Sequence, residues 1–78
     1  MTQVRLFASL REEAGASRVE ADGATVGEIV DALSARYGPR FAQVAAVGSY
    51  VVNGERAGRE AAVRPGDEVA VLPPVSGG

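Results

Sequence analysis

The sequence of 78 residues contains neither cysteine nor histidine. Without cysteine the chain has no disulfides and no thiolate ligands, and without histidine it lacks the commonest nitrogen ligand and general base. All eight basic residues are arginine, so the lysine amine that forms Schiff bases is missing as well. These absences exclude zinc and iron–sulfur sites, and they leave no nucleophile, base and orienting group for an active site. We therefore expect a protein that is not itself an enzyme.

Long apolar runs and a basic stripe are also missing. No stretch approaches the roughly 20 apolar residues that cross a bilayer, and the formal net charge is −2. We expect a cytoplasmic protein with neither a membrane nor a nucleic acid as partner. Adjacent acids at residues 12–13 and 67–68 stand beside a helix start and a turn, where carboxylates are usually solvated. The sequence therefore predicts no metal site and no bound cofactor.

The chain does contain a series of short β-strand patterns. Alternation of apolar and polar residues predicts strands over residues 2–9 and 17–21. Residues 49–57 read as a strand, a tight Asn53-Gly54 turn and a short return strand. A Pro-Gly-Asp turn at residues 65–67 leads into a last strand.

Helical spacing is clearest over residues 25–39. Thr25 and Glu28 form a capping-box pattern at its start, and Gly38-Pro39 marks its end. A shorter helical turn is predicted over residues 9–15, with Ser9 as the N-cap and a glycine as the stop. Residues 40–48 are ambiguous and are interpreted as a partly helical connector.

The order of these elements predicts an α+β fold. We expect a mixed sheet of four to five strands with one main helix across one face. The domain is predicted over residues 1–74, and residues 75–78 form a flexible C-terminal tail with two glycines.

One helix covers only one face of a sheet, so the other face should be open. In the first strand Val4, Leu6 and Ala8 share the core face, and Phe7 takes the opposite side. In the last strand Leu72 likewise alternates away from the core. A paired apolar patch on an open sheet face favours an interface, and the alternative is ordinary core covered by a loop.

The tail has its own chemistry. Pro73 and Pro74 cannot continue a regular strand, so the chain beyond them should leave the sheet in an extended form. Gly77 and Gly78 have no side chains, and a thin segment of this kind can pass down a channel to present its carboxylate to another enzyme. Taken alone, Gly-Gly is more typical of a frayed terminus than of a functional tail.

Three segments together resemble a known family. "FASLREEAG" at residues 7–15, "VNGE" at residues 52–55 and "GDEVAVLPPVSGG" at residues 66–78 are similar to the small subunit of molybdopterin synthase. That family consists of β-grasp, ubiquitin-like sulfur carriers. The resemblance extends over essentially the whole chain, and it implies the β-grasp fold for this sequence.

The resemblance also implies a function for the tail. An activating enzyme similar to those of the ubiquitin system would consume ATP to adenylate Gly78, and a sulfur donor system would convert it to a thiocarboxylate. Residues 73–78, which include Gly77, would then enter the large subunit of molybdopterin synthase and deliver sulfur to cyclic pyranopterin monophosphate. This chain would be the non-catalytic, sulfur-donating subunit of a heterotetramer. The residues that the resemblance assigns to partner contacts are Phe7, Arg11, Leu72, Pro73, Pro74 and Val75.

Two alternatives remain at this point. Sibling carriers serve thiazole synthesis, cysteine synthesis and tRNA thiolation, and they share the fold and the Gly-Gly end. A ubiquitin-like modifier, which joins its carboxyl end to lysines of other proteins, would use the same Gly78. The products differ, because a carrier gives a free thiocarboxylate and a modifier gives an amide-linked adduct.

Overall fold

The computed structural model describes residues 1–74, which form a five-stranded mixed sheet with three helices on one face. This architecture confirms the predicted α+β fold. The strands are β1 (Thr2–Leu6), β2 (Arg18–Ala21), β3 (Ser49–Val52), β4 (Glu55–Ala57) and β5 (Glu68–Leu72). The helices are α1 (Ala8–Ala14), α2 (Val26–Tyr37) and α3 (Pro39–Ala46).

The first and last strands lie side by side at the centre of the sheet. The strand order is β2-β1-β5-β3-β4, with β1 and β5 parallel and the other neighbours antiparallel. Leu6 pairs with Val71. β1 ends at this pair, and β5 ends one residue later, at Leu72. The chain therefore turns into α1 and leaves β5 at the same edge of the sheet.

Alternation along the central strands decides which face becomes the core. Val4, Leu6, Val69 and Val71 are buried, as the sequence pattern predicts. They pack in one cluster with apolar residues of all three helices, among them the fully buried Phe41 of α3. All helices therefore cover the same side of the sheet.

The start of α1 differs from the prediction. Ser9 is wrong as the N-cap, because β1 ends at Leu6 and Phe7 is the capping residue. The carbonyl oxygen of Phe7 accepts a hydrogen bond from the backbone N–H of Leu10, at 3.1 Å. Ala8 has a φ of 51° and begins α1, so its predicted place on the core face of β1 is also wrong. Gly15 ends the helix as expected, with a φ of 75°.

The two longer helices follow local signals. The Thr25 hydroxyl accepts the backbone N–H of Glu28, and the Glu28 carboxylate accepts that of Ala24, which confirms α2 and its cap. The ambiguous connector contains α3, a helix favoured by Pro39 at its first position. No helix within residues 1–74 is both long enough and apolar enough to cross a membrane.

A polar network joins the β3–β4 hairpin to the start of β5. Asn53 and Gly54 have positive φ angles of 50° and 84°, which confirms the tight Asn-Gly turn. The Asn53 side chain donates to the Asp67 carboxylate at 3.0 Å and accepts the backbone N–H of Glu68 at 2.9 Å. Asp67 also accepts the backbone N–H of Arg64 at 2.9 Å. This network fixes where β5 begins beside the hairpin.

The Asp67 network should make stability depend on pH. The hydrogen bond from Asn53, followed by that from the Arg64 N–H, lowers the pKa of Asp67 below its ordinary value of 3.8. Ionised Asp67 therefore stabilises the fold above that value, and this contribution is lost as pH falls through the folded-state pKa. We expect Asp67→Asn to reduce the free energy of unfolding at neutral pH, with the difference from wild type shrinking in acid. Urea denaturation of both proteins at neutral and strongly acidic pH measures this, and a difference independent of pH would contradict it.

Candidate functional site

The side of the sheet opposite the helices, termed here the outer face, carries one row of residues across all five strands. Register places Arg18, Arg5, Ala70, Val51 and Arg56 side by side in that order. The three arginines are exposed, and the alanine and valine between them are half-buried. With strands about 4.8 Å apart, the row is roughly 19 Å long. It has an apolar centre and positive charge at both ends.

Phe7 and Leu72 lie beside this row, at the edge where β1 and β5 end. Phe7 follows the Leu6–Val71 pair and is 37% exposed. The guanidinium of Arg5 lies 5.6 Å from the centre of the Phe7 ring, which places the ring next to an outer-face residue. Leu72 is half-buried and follows the buried Val71, so it alternates onto the outer face. The two apolar residues predicted from alternation are therefore both at this edge.

Arg11 extends the positive charge around Phe7. It is exposed on α1 and shares with Phe7, Arg5 and Arg18 the wall of an open concavity of about 360 Å³. Three arginines thus line one concavity beside an exposed aromatic ring. An anionic side chain of a partner protein is the kind of group that such a concavity would attract.

The exit of the chain from β5 is set by a close backbone approach. Ser49 pairs with Leu72, and the preceding Gly48 lies against the Leu72 carbonyl. A Cβ atom on Gly48 would overlap that carbonyl oxygen, and it would lie 3.3 Å from the carbonyl oxygen of Val44. Pro73 is half-buried and Pro74 is exposed, outside any strand. The position of Pro73 therefore depends on the absence of a side chain at Gly48.

The arginines of the outer face are not used in ion pairs within residues 1–74. The ion pairs of this part of the chain join the N-terminus to Asp22, Arg40 to Glu13, and Arg59 to Asp31. Arg56 donates to the Ser49 hydroxyl, at 3.3 Å. On the described part of the chain, the positive charge of the outer face is thus not offset by a direct carboxylate contact.

Sequence reasoning missed several residues of this site. Arg5, Arg18 and Arg56 are spread over 52 positions, and only the sheet register brings them into one row. Gly48 carried no signal, because its contact is with Leu72 on the neighbouring strand β5, which is distant in the sequence. The alternation of apolar and polar residues within each strand predicted which residues lie on the outer face. It did not predict which residues of neighbouring strands stand side by side.

The remaining predicted site residues, Val75, Gly77 and Gly78, lie outside the described residues. Their roles, and those of Phe7, Arg11, Leu72, Pro73 and Pro74 in binding partners, stay predictions. Within residues 1–74, His, Cys, Asp and Glu side chains form no group of three that could hold a metal ion.

The sequence of this chain is similar to that of a known protein family. A family model described as the ThiS family matches residues 4–78. The small archaeal modifier protein 1 of Haloferax volcanii is 40% identical over 84 aligned positions, which span 95% of this chain and 97% of that protein.

Solved structures show the same fold over nearly the whole chain. The solution structure of small archaeal modifier protein 1 from Methanosarcina acetivorans has a TM-score of 0.87 at 29% identity, covering 99% of this chain and 95% of that one. The BexX/CysO complex of Amycolatopsis orientalis gives 0.82 at 34% identity and covers both chains completely, at 100% each. A putative molybdopterin converting factor subunit 1 from Pyrococcus furiosus gives 0.78 at 27% identity, covering 95% and 97%. These likenesses confirm the predicted β-grasp, ubiquitin-like fold.

Proposed function

The chain belongs to the ThiS family of ubiquitin-like sulfur carriers, and we propose that it carries sulfur as a thiocarboxylate on Gly78. The observation that carries the proposal is the family match through residue 78, which includes the Gly77-Gly78 pair. The geometry of the domain supports it. The chain leaves the sheet after Leu72, at Pro73, beside the exposed Phe7. A partner that binds this edge would therefore also be close to the start of the tail.

The proposed chemistry needs no catalytic residue from this chain. A carboxylate oxygen of Gly78 attacks the α-phosphorus of ATP in the activating enzyme, and pyrophosphate leaves. Hydrosulfide then attacks the acyl-adenylate carbon and expels AMP, which leaves a thiocarboxylate. The carbonyl carbon keeps its oxidation state throughout, so no external reductant is needed when the donor is hydrosulfide. The chain supplies the carboxylate and the docking surface, and its partners supply the catalytic groups.

For the sulfur acceptor, we propose the large subunit of molybdopterin synthase with cyclic pyranopterin monophosphate. The early "FASLRE" segment and the "PPVSGG" ending support this pathway, as does likeness to the Pyrococcus furiosus protein. In that complex this chain would be the non-catalytic, sulfur-donating subunit. Likeness to a chain of the BexX/CysO complex supports, more generally, a partner protein for a domain of this kind.

A second candidate function is protein modification. Small archaeal modifier protein 1 is 40% identical to this chain, and its name describes a modifier. In that role a lysine amine of another protein would attack the acyl-adenylate carbon of Gly78, form an amide bond and expel AMP. The two candidates share activation and differ in the final nucleophile, which is sulfur in one case and nitrogen in the other.

Intact mass after activation tests the proposal. The chain is incubated with ATP, a ThiS-type activating enzyme and sodium sulfide, and we expect a mass gain equal to replacing one oxygen by sulfur. Omission of ATP is the first control. An unchanged mass, with an enzyme proven active on another carrier, would contradict the carrier function. A lysine-linked adduct on other proteins, formed without the thiocarboxylate, would favour the modifier instead.

Truncation of the apolar edge should weaken partner binding. We expect Phe7→Ala and Leu72→Ala each to reduce affinity for the large subunit by about 2 kcal/mol or more, because buried apolar anchors dominate interface energies. Isothermal titration calorimetry measures the affinity, and thermal unfolding checks that the variants remain folded.

A conservative variant separates contact from misfolding. Phe7→Leu keeps an apolar side chain at the same edge, so it should retain most of the affinity that Phe7→Ala loses. Unchanged affinity in folded Phe7→Ala and Leu72→Ala would show that this edge is not the contact surface.

A further inference from the structure

The strand β2 forms one edge of the sheet, and in the described part of the chain no strand pairs with its open side. Two hydrogen bonds show how its backbone is oriented. The Ser17 carbonyl oxygen accepts the Leu6 N–H of β1 at 2.9 Å, whereas the Glu20 carbonyl oxygen accepts the Arg36 guanidinium of α2 at 3.1 Å. Because the backbone groups of successive strand residues point to opposite sides, Arg18 and Glu20 direct their N–H and C=O groups away from β1.

The side chains of Arg18 and Glu20 carry opposite charges on the outer face. Both are exposed, and neither forms an ion pair within residues 1–74. Arg18 stands opposite Arg5 on β1, and like charges directly opposite each other destabilise a sheet. The open edge therefore presents one cation and one anion, two residues apart, to whatever strand pairs with it.

A second copy of β2, antiparallel to the first, would satisfy both the backbone groups and the charges. When the twofold axis passes through Val19, Arg18 of each copy stands opposite Glu20 of the other. Since both residues direct their backbone groups outward, each of these two pairs is of the hydrogen-bonded type. An axis through position 18 would instead oppose two arginines, and an axis through position 20 would oppose two glutamates.

The other edge strand does not have this complementarity. β4 has three residues, and Val52 pairs with Glu55 directly across the tight turn. Alternation along β4 then leaves the backbone groups of Arg56 as those directed outward. Two β4 strands paired about this residue would set arginine opposite arginine, which is unfavourable. The charges therefore favour pairing through β2.

We propose that this chain self-associates through β2, so that five strands from each copy form one continuous sheet around a twofold axis at Val19. Ion pairs between Arg18 and Glu20 flank the axis on the outer face, and the two half-buried Val19 side chains meet on the helix side. The Glu20 carbonyl oxygen has two lone pairs, so Arg36 can keep its contact. The paired strands are short, and the association is therefore weak and visible at high protein concentration. The proposal does not depend on the proposed function.

The two chain exits lie far apart in this arrangement. β5 is third from the β2 edge in each copy, so five strand spacings of about 4.8 Å, roughly 24 Å in all, separate the two β5 strands. Because the two copies are antiparallel, their Pro73 residues lie toward opposite ends of the joined sheet. Self-association therefore keeps each exit clear of the other.

Charge reversal with rescue tests the pairing. Sedimentation equilibrium at low salt gives the dimer dissociation constants of wild type, Arg18→Glu, Glu20→Arg and the double variant Arg18→Glu/Glu20→Arg. Each single change sets like charges opposite each other twice, so we expect it to raise the dissociation constant about tenfold or more. The double variant exchanges the two charges without changing their sum, and it should return to within about threefold of wild type. An equimolar mixture of the two single variants should associate more strongly than either alone.

A single cysteine tests the register. The chain has no cysteine of its own, so Val19→Cys introduces the only thiol. At the axis the two residues would form a pair without hydrogen bonds, with Cα atoms about 4.5 Å apart, which suits a disulfide. We expect a disulfide-linked dimer to form under mild oxidation about tenfold or more faster than in Glu60→Cys, the control in an exposed turn. Intact mass follows the reaction.

Three results would overturn the proposal. The first is a chain that remains monomeric at about 1 mM protein. The second is a dimer that neither single charge variant weakens, since the contact would then lie on another surface. The third is cross-linking of Val19→Cys that is no faster than that of Glu60→Cys. Thermal unfolding checks that the variants remain folded, and sulfur loading, measured separately, would still decide the proposed function.

Discussion

Removal of Gly78 is expected to abolish thiocarboxylate formation while leaving the free energy of unfolding unchanged. The shortened chain still ends in a carboxylate, at Gly77, so the loss would be one of position. One residue of extended chain reaches about 3.5 Å, and displacement of a reacting group by about 1 Å can cost roughly a hundredfold in rate. We therefore expect the rate of thiocarboxylate formation to fall by more than about a hundredfold. Intact mass against time measures it.

Ser76→Ala is the control for the shortened tail. It changes a neighbouring side chain but keeps the length of the tail and both glycines. This variant should gain sulfur at close to the wild-type rate. Comparable rates for wild type and the variant lacking Gly78 would refute the tail mechanism, because activation would then not depend on how far the carboxylate reaches.

Substitution of Gly48 is expected to impair both folding and sulfur loading. A Cβ atom at this position would overlap the Leu72 carbonyl oxygen, and the neighbouring atoms are backbone, which cannot rotate out of the way. Overpacking of this kind costs about 1–3 kcal/mol, a large share of the stability of a small domain. We expect Gly48→Ala to lower the free energy of unfolding by that amount, as measured by urea denaturation.

The same change should alter where the chain leaves the sheet. Relief of the overlap requires the end of β5 to move away from Gly48, and Pro73 follows Leu72 directly. We therefore expect slower thiocarboxylate formation in Gly48→Ala even under conditions in which the variant is fully folded. A loss of stability without any effect on the loading rate would show that the exit of the tail tolerates the shift.

Gly58→Ala is a matched control for this substitution. The three atoms nearest to its Cβ atom would all belong to the carboxylate of Glu60, the far end of an exposed side chain that can rotate away. The backbone there does not have a positive φ. Gly58→Ala should therefore cost much less stability than Gly48→Ala and leave sulfur loading unchanged.

Several features of this protein could be predicted because their causes are local in the chain. The Thr25–Glu28 cap, the Asn53-Gly54 turn and the Gly15 stop each involve residues within four positions of one another. The alternation of Val69 and Val71 with Leu72 needs only the period of a strand. The terminal Gly-Gly, read with the motifs before it, was enough to identify the sulfur carrier family.

The sequence pattern gave the wrong start for α1 and no clear prediction for α3. Ser9 is a good N-cap residue, but β1 ends at Leu6 and the chain turns at Phe7 and Ala8 before Ser9 is reached. Residues 40–48 gave no clear pattern. In the structure α3 buries Phe41, and the centre of its ring lies 5.5 Å from the centre of the Tyr37 ring. For α3, tertiary packing therefore decided what the local pattern left open.

By itself, the sequence determined the presence of the strands, both ends of α2, the stop of α1 at Gly15, the outward alternation of Phe7 and Leu72, and the family. Tertiary structure alone decided the parallel pairing of β1 with β5, which joins Leu6 to Val71 across most of the chain. It also decided the arginine row and the contact of Gly48 with Leu72. The physical reason is that strand register is a property of backbone hydrogen bonds between distant segments, and no periodicity within one segment specifies which residue of another will stand opposite.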